Sequence, residues 1–520
     1  MSVREVSRKL RAWESGKPVA RYSTIHHAIV PVDQALVVAF VRMAGESRPW
    51  GIAWGTVGSA PTVATVPDGR VRDDVAVLCA GFAEDLLAHL RVHNWTYDPV
   101  DRDTDPSELR QVWLPNGKHV DMLHHLSYTY SQTKFGGANQ DLLQALGRLA
   151  GWMFRDSSRQ GHQHVVSASQ ALGDAFVLPS QDVRTAHLGY QLAWLTTVGD
   201  RETRVHAARE AEGLTVSPTL DPSLERDELS DLVEKWNTLR REGADLVASS
   251  AAIAAILEPE LERRWKLTED AYHLLSADRP VNEGVDALVK DAHQEFWGQH
   301  QRIELRIADP TLGPAFTAHP ETDFHGSAAA SRYLVHAAAD EVFAGLLIHD
   351  DPELLAEAID AGHAVRGVVA AVANLGSGRT VTPVWQFRLE PGVVHRIREG
   401  ARLVPCGSRG HEAIVDSVDV GPHGTDFEVR WGDRKTMALG CGIKGKPLDV
   451  AWVGEEVIFV VSDAAALTKR RSQRVWNAKD GPGAWLTHGK ASAPVTIETD
   501  DGATDLLVDD ISQIEGGATV

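Results

Sequence analysis

The chain has 520 residues, of which 43% are hydrophobic and 24% are charged. These values are ordinary for globular proteins and exclude a wholly disordered chain, and the length predicts several domains. Asp and Glu number 72 against 52 Lys and Arg, a formal net charge of −20. That balance disfavours a protein that coats nucleic acid with its whole surface.

The cysteines and the apolar segments indicate in which cellular compartment the protein is expected. Cys79, Cys406 and Cys441 are far apart in the sequence, which is typical of a reducing cytosol and not of a disulfide framework. No run of about 18 apolar residues occurs, and the N-terminus has no apolar segment of the secretory kind. We therefore expect a cytoplasmic protein with no membrane partner.

The first part of the chain alternates between short apolar runs and one helical stripe. Residues 35–43, 50–57 and 61–66 are apolar runs bounded by turn residues, which predicts three strands. Residues 71–91 carry apolar side chains at three- and four-residue intervals, as an amphipathic helix does. A fourth strand is predicted at residues 111–114. These elements predict an α/β domain over residues 1–118.

This strand order is similar to that of the ribonuclease H-like fold. The resemblance implies carboxylates on the first strand, first helix and fourth strand, where two metal ions would activate water. The nearest acidic residues are Asp33, Glu84 and Asp121, the candidate catalytic residues. Asp33 precedes the first strand, and no acid interrupts residues 35–43. The resemblance therefore favours an inactive or non-nuclease version of the fold.

After residue 118 the sequence pattern becomes helical and then changes to that of short strands. Residues 119–375 carry helical spacing, including a helix start at Asp221-Pro222, and predict a mainly helical domain. Residues 380–520 contain several short β-type runs with Gly-rich turns, which predicts a small β-barrel of SH3-like or OB-like type. The Gly/Ser segment 374–378 is the predicted linker. The fold class is therefore multidomain α+β.

A histidine-rich segment is the best candidate for a metal site. His119, Asp121 and His124 lie within six residues, and imidazoles with a carboxylate at short spacing can ligate a divalent ion. The chain has 23 histidines, so surface histidines that cluster by chance are the alternative. No other cofactor is predicted.

A basic and aromatic tract near the C-terminus is the most distinctive motif. Cations neutralise phosphates and indole rings stack on bases, so the tract favours contact with single-stranded nucleic acid. The alternative is a basic loop that docks on the acidic helices of the same chain. The candidate nucleic-acid-binding residues are Lys469, Arg470, Arg471, Arg474, Trp476 and Lys479.

These patterns favour a non-enzymatic accessory or adaptor component of an intracellular complex associated with nucleic acid. It would bind other proteins of that complex through its helical middle, and DNA or RNA through the basic and aromatic tract. One alternative is a metal-dependent nuclease or phosphohydrolase that uses Asp121. The other is a protein-only scaffold, which the net charge of −20 supports.

Overall fold

The computed structural model describes most of the chain up to residue 278 and much of residues 351–461. The described residues are 3–21, 26–90, 109–158, 162–179, 186–278, 345, 348–349, 351–375, 382–406, 411–422, 424–431 and 452–461. The basic and aromatic tract at residues 469–479 lies outside them, as does Cys441.

The part before residue 279 is an α/β arrangement built on one sheet. Its elements in chain order are α1 (Val3–Ser15), β1 (Val19–Ala20), β2 (Ala35–Val41), β3 (Gly51–Thr56), β4 (Thr62–Thr65), α2 (Arg72–Leu90), β5 (Gln111–Leu114), α3 (Gly117–Tyr130), α4 (Gln140–Asp156), β6 (Val165–Ser167), α5 (Ala168–Ala175), β7 (Phe176–Val177), α6 (Leu188–Thr196), α7 (Arg201–Glu212), α8 (Pro222–Leu224), α9 (Ser230–Glu242) and α10 (Val247–Asp278).

The central sheet has five strands in the order β4-β3-β2-β5-β6. β2, β3 and β4 pair antiparallel, whereas β5 pairs parallel with β2 and β6 parallel with β5. The four predicted strands and the predicted helix are confirmed. The short strand β6 has no clear sequence signal, and β1 pairs separately with β7.

β2 is buried on both faces of the sheet. Leu36, Val38 and Phe40 pack in a core with residues of α2, α3 and α4. Val37 and Ala39 face the opposite core, to which α5, α9 and α10 contribute. A strand covered on both faces is apolar throughout rather than alternating, which explains the continuous run that β2 shows in the sequence.

The helices after residue 118 belong to the same arrangement as the sheet. α3 and α4 form the crossover that two parallel strands, β5 and β6, require. α10 lies across β2, β3 and β4 on the other face. The domain boundary that the sequence analysis places at 118 therefore falls between a strand and the helix that packs on it.

The predicted helix start at Asp221 is confirmed. The Asp221 side chain accepts a hydrogen bond from the Ser223 amide, and Pro222 occupies the first helical position. A short π-helical turn joins α8 to α9, whose Val233 and Trp236 are buried. Among the helices in the described ranges, none combines the length and the apolar character that crossing a bilayer requires.

The second part is a closed antiparallel barrel preceded by α11 (Pro352–Asp360). Its strands are β8 (Ala364–Leu375), β9 (Thr382–Leu389), β10 (Arg402–Pro405), β11 (Ala413–Gly421), β12 (Gly424–Trp431) and β13 (Glu456–Val461). They lie in the order β10-β11-β12-β9-β8-β13, and β10 closes the barrel by pairing with β13. The small barrel predicted from the sequence is confirmed.

The first barrel strand lies where the sequence analysis places the end of the helical domain and the linker. β8 starts at Ala364, and its last residues, Asn374 and Leu375, pair with Pro383 and Thr382 of β9. Residues 376–378 of the predicted linker lie outside the described ranges. The barrel therefore begins before the predicted boundary at 375–380, because β8 and β9 form one hairpin.

Candidate functional site

The three candidate catalytic acids occupy different parts of the sheet region. Asp33 is exposed in the turn before β2, where its carbonyl accepts a hydrogen bond from Arg110 Nη1 at 3.2 Å. Asp121 lies in α3, beyond the end of β5, and pairs with Lys118 at 3.2 Å. Because β2 and β5 are parallel, the start of one and the end of the other lie at opposite edges of the sheet. Glu84 is exposed on α2.

A metal site in a protein is built from several ligands that lie close together. Within the described ranges, no group of three or more His, Cys, Asp and Glu side chains is placed to hold a metal ion. The catalytic role of Asp33, Glu84 and Asp121 stays a prediction, as does the metal role of His119, Asp121 and His124.

His119 is fully buried between the central sheet and the segment at residues 215–220. Its Nδ1 accepts a hydrogen bond from the Phe40 amide at 3.1 Å. Its Nε2 donates to the Val216 carbonyl at 3.0 Å. Burial, helped by the charge of Arg264, lowers the pKa of His119 to about 3. In this geometry the imidazole is neutral and both ring nitrogens are engaged within the protein.

His119 supplies the hydrogen-bond acceptor for a backbone amide of β2 that has no partner strand. β5 pairs with β2 only from Ala35 to Val37, so the amide of Phe40 lies beyond its reach and needs another acceptor. Further along, Arg42 exchanges backbone hydrogen bonds with Pro218 and Leu220. The segment at residues 215–220 thus continues the sheet where β5 ends.

Two arginines of α10 hold this segment in place. Arg264 Nε donates to the Ser217 carbonyl at 2.8 Å and Arg263 Nη2 to the Thr215 carbonyl at 2.7 Å. Both guanidinium groups also reach Glu260 Oε2, at 2.6 and 2.7 Å. Burial acts to raise the pKa of Glu260, but the two arginines outweigh it and hold the pKa below its usual value.

Replacing His119 by alanine is expected to lower the free energy of unfolding by about 2–3 kcal/mol. The substitution leaves the Phe40 amide and the Val216 carbonyl buried without partners and opens a cavity. Urea denaturation with and without a metal chelator measures the change. A matched control is His124→Ala on the same helix, because His124 is exposed and makes ring contacts with Phe154 and His125 only at the surface. Its expected cost is below about 1 kcal/mol. Equal costs for the two variants would contradict a structural role for His119.

A groove lies at the carboxyl ends of β5 and β6, where α/β sheets usually bind ligands. One cavity of about 400 Å³ is bounded by Arg21, Ser167, Gly173 and Gln191, among others. A second cavity of about 740 Å³ reaches Asp121 and His187. The two share Gly117, Ser169 and Ala186. We call the two together the carboxyl-edge groove.

The groove contains charged groups of both signs. Arg21 and Lys9 reach its first cavity, where Glu5 pairs with Arg21 at 2.7 Å and with Lys9 at 3.8 Å. Burial raises the pKa of Asp174 to about 7 against the opposing charge of Arg21. A perturbed carboxyl group in a cleft is a common feature of functional sites. Of the candidate acids, only Asp121 borders this groove in the described residues.

Comparison with known proteins gives no relative. No family model matches the chain, and no curated protein and no solved structure is significantly similar to it. The function is therefore argued from the chemistry of these sites.

Proposed function

We propose that this chain is an accessory or adaptor component of an intracellular complex associated with nucleic acid. In this proposal the sheet-and-helix part is a non-nuclease version of the ribonuclease H-like fold and serves protein partners. The barrel, of SH3-like or OB-like type, presents the tract Lys469–Lys479 to DNA or RNA.

The composition of β2 supports the non-nuclease part of the proposal. The ribonuclease H-like interpretation rests on the chain order of three strands, a helix and a fourth strand. In the sheet these strands lie in the order β4-β3-β2-β5, with β6 beyond β5. In that fold, activity requires a carboxylate on the first strand, which here is β2. All seven residues of β2 are apolar and buried. A charged group there would have to be desolvated within two apolar cores.

The charges of the described barrel support the role assigned to the tract. Its strand arginines lie in ion pairs across neighbouring strands: Arg388 with Asp426 and Arg430 with Asp416. Arg366 on β8 pairs likewise with Glu456 on β13, and Arg402 pairs with Glu412, the residue before β11. Paired charges add little positive potential, which is consistent with a proposal in which the cations of the tract attract the polyanion.

The salt dependence of binding tests this assignment. If the five cations of the tract each neutralise a phosphate, the logarithm of affinity for single-stranded DNA should fall with the logarithm of salt with a slope of about −3.5. The triple variant Arg470→Gln, Arg471→Gln and Arg474→Gln should flatten that slope by about 2. Fluorescence anisotropy of a labelled oligonucleotide, bound by the full chain, measures both.

The matched control removes the same total charge from the barrel strands. Arg388→Gln, Arg402→Gln and Arg430→Gln should leave the slope unchanged, because these arginines are already paired. Equal flattening in both triple variants would show that only net charge matters. No binding at low salt by the unaltered chain would leave the protein-only scaffold as the better hypothesis.

A further inference from the structure

Helix α11 contacts both parts of the molecule. Its side chains Leu355, Ala358 and Ile359 pack with β8 and β13 of the barrel. Leu354, in the first turn of the helix, instead packs against one of the two cores of the part before residue 279. Among the described apolar residues after residue 344, Leu354 alone belongs to those cores. The first turn of α11 therefore joins the barrel to the rest of the described chain.

Ion pairs hold this first turn against α1. Arg8 Nη2 of α1 donates to Asp351 Oδ2 at 2.8 Å, and the two side chains are 5% and 2% exposed. Arg8 Nε lies 3.3 Å from Glu353 Oε2, and Arg11 pairs with the same carboxylate nearer the surface. Asp351 is also the N-cap residue of α11, since its side chain accepts hydrogen bonds from the Glu353 and Leu354 amides. The buried pair of Arg8 and Asp351 is thus the centre of the contact.

Each helix of this contact is fixed to its own part. On α1, Glu5 pairs with Arg21 at 2.7 Å, and the Arg201 guanidinium lies 3.6 Å from the ring centre of Trp13. Gly362, just after α11, approaches the barrel so closely that a Cβ there would lie 2.9 Å from a backbone atom of the loop after β9. Any relative motion of the two parts therefore falls at the contact between α1 and α11.

The contact between α1 and α11 is charged at its centre. Interfaces between domains permit relative motion unless they are large and hydrophobic. A buried ion pair adds little net stability, because the desolvation of the two charges offsets most of their attraction. The pair nevertheless disfavours other geometries strongly, since either charge is destabilised when it is buried without its partner. Such a contact specifies one docked arrangement and gives it a small net free energy.

We propose that Arg8 and Asp351 form a latch, by which the barrel and α11 dock on α1 and are released from it as one body. In the docked state the latch fixes one orientation of the barrel relative to the central sheet. In the released state both charges return to water, and Leu354 leaves the core that it covers. Both parts stay folded on release, in contrast to the loss of a core ion pair such as Arg264 with Glu260.

The distance between two spin labels, one on each part, tests the proposal. Val77→Cys on α2 and Val420→Cys on β11 supply the labelling sites, because these residues are 66% and 74% exposed. Cys406 and Cys441 are replaced by serine. Cys79 can remain, because burial raises the pKa of its thiol to about 12 and leaves it unreactive. Double electron–electron resonance on the full chain then measures the distance.

The unaltered chain should give one narrow distance, that of the docked state. Arg8→Gln leaves the Asp351 carboxylate buried without its guanidinium, so it should shift the docking equilibrium about a hundredfold toward release and add a second, broad distance. Asp351→Asn should do the same, although asparagine still caps the helix. The double variant Arg8→Met with Asp351→Asn should recover part of the docked distance, because it leaves neither charge buried alone.

Arg11→Gln is the matched control on the same helix. It removes the same charge as Arg8→Gln, but the Arg11 side chain is 52% exposed, so the distance should not change. Hydrogen exchange of β2 and β12 in the same samples shows whether each part remains folded.

Four results overturn the proposal. They are a single unchanged distance in Arg8→Gln, equal changes in Arg8→Gln and Arg11→Gln, a broad distance in the unaltered chain, and loss of protection in β2 or β12 of Arg8→Gln. None of these results depends on nucleic-acid binding by the tract.

Discussion

Replacing Arg264 by methionine is expected to lower the free energy of unfolding by about 3–4 kcal/mol. The Arg264 side chain is fully buried in α10 and donates to the Ser217 carbonyl and to both the carbonyl and carboxylate of Glu260. Breaking a buried ion pair from one side leaves the other charge without full compensation. Methionine retains most of the apolar stem and therefore isolates the loss of the guanidinium group. Urea denaturation of the full chain measures the change.

Arg263→Met is the matched control for this prediction. Arg263 also bonds to Glu260 and to the Thr215 carbonyl, but its side chain is 22% exposed. Water replaces part of what it loses, so its expected cost is about 1 kcal/mol. The double variant Glu260→Met with Arg264→Met should recover part of the loss, because no buried charge is then left alone. A cost for Arg264→Met no greater than that of Arg263→Met would refute the assignment.

The arginine pair also bears on how the central sheet is completed. Arg263 and Arg264 fix residues 215–217, and the Val216 carbonyl in turn accepts the hydrogen bond of His119. His119 then pairs the Phe40 amide of β2. Replacing either arginine should therefore speed up hydrogen exchange in β2, although no described hydrogen bond joins either arginine to Phe40. The rate of hydrogen exchange at the Phe40 amide measures this effect directly.

The strands and helices that the sequence predicts are those with a strong local pattern. β2 is a continuous apolar run because helices cover both of its faces, and α2 shows a clear helical stripe. β6 is only three residues long and forms because β5 pairs with it. β8 contains several alanines, which also suit a helix, and its strand form depends on pairing with β9 and β13.

Local sequence patterns predict the candidate sites less well than they predict the strands and helices. In sequence, His119 and His124 belong to one histidine-rich segment, but the structure buries one and exposes the other. The partner that defines His119, the Val216 carbonyl, is 97 residues away. The groove likewise joins Arg21, Ser167 and Gln191, which are brought together by the sheet and share no motif. Spacing along the chain carries no information about such encounters.

Replacing Trp385 by alanine is expected to destabilise the barrel by about 3–5 kcal/mol. The side chain is fully buried at the centre of an aromatic cluster. Its ring lies 4.8 Å from that of Trp431 in an edge-to-face arrangement and 5.3 Å from that of Trp452. Alanine would remove these contacts and leave a cavity that the closed barrel can only partly fill. Hydrogen exchange of the barrel strands, measured by mass spectrometry on the full chain, reports the loss.

The same variant separates two ways in which the tract can act. Val420→Ala is the control, since Val420 is 74% exposed on β11 and should change protection little. If the folded barrel presents the tract, Trp385→Ala should weaken oligonucleotide binding in conditions where barrel protection is lost, while Val420→Ala should not. If the tract binds as an independent basic segment, affinity should survive the loss of the barrel. That second outcome would remove the barrel, but not the tract, from the proposed function.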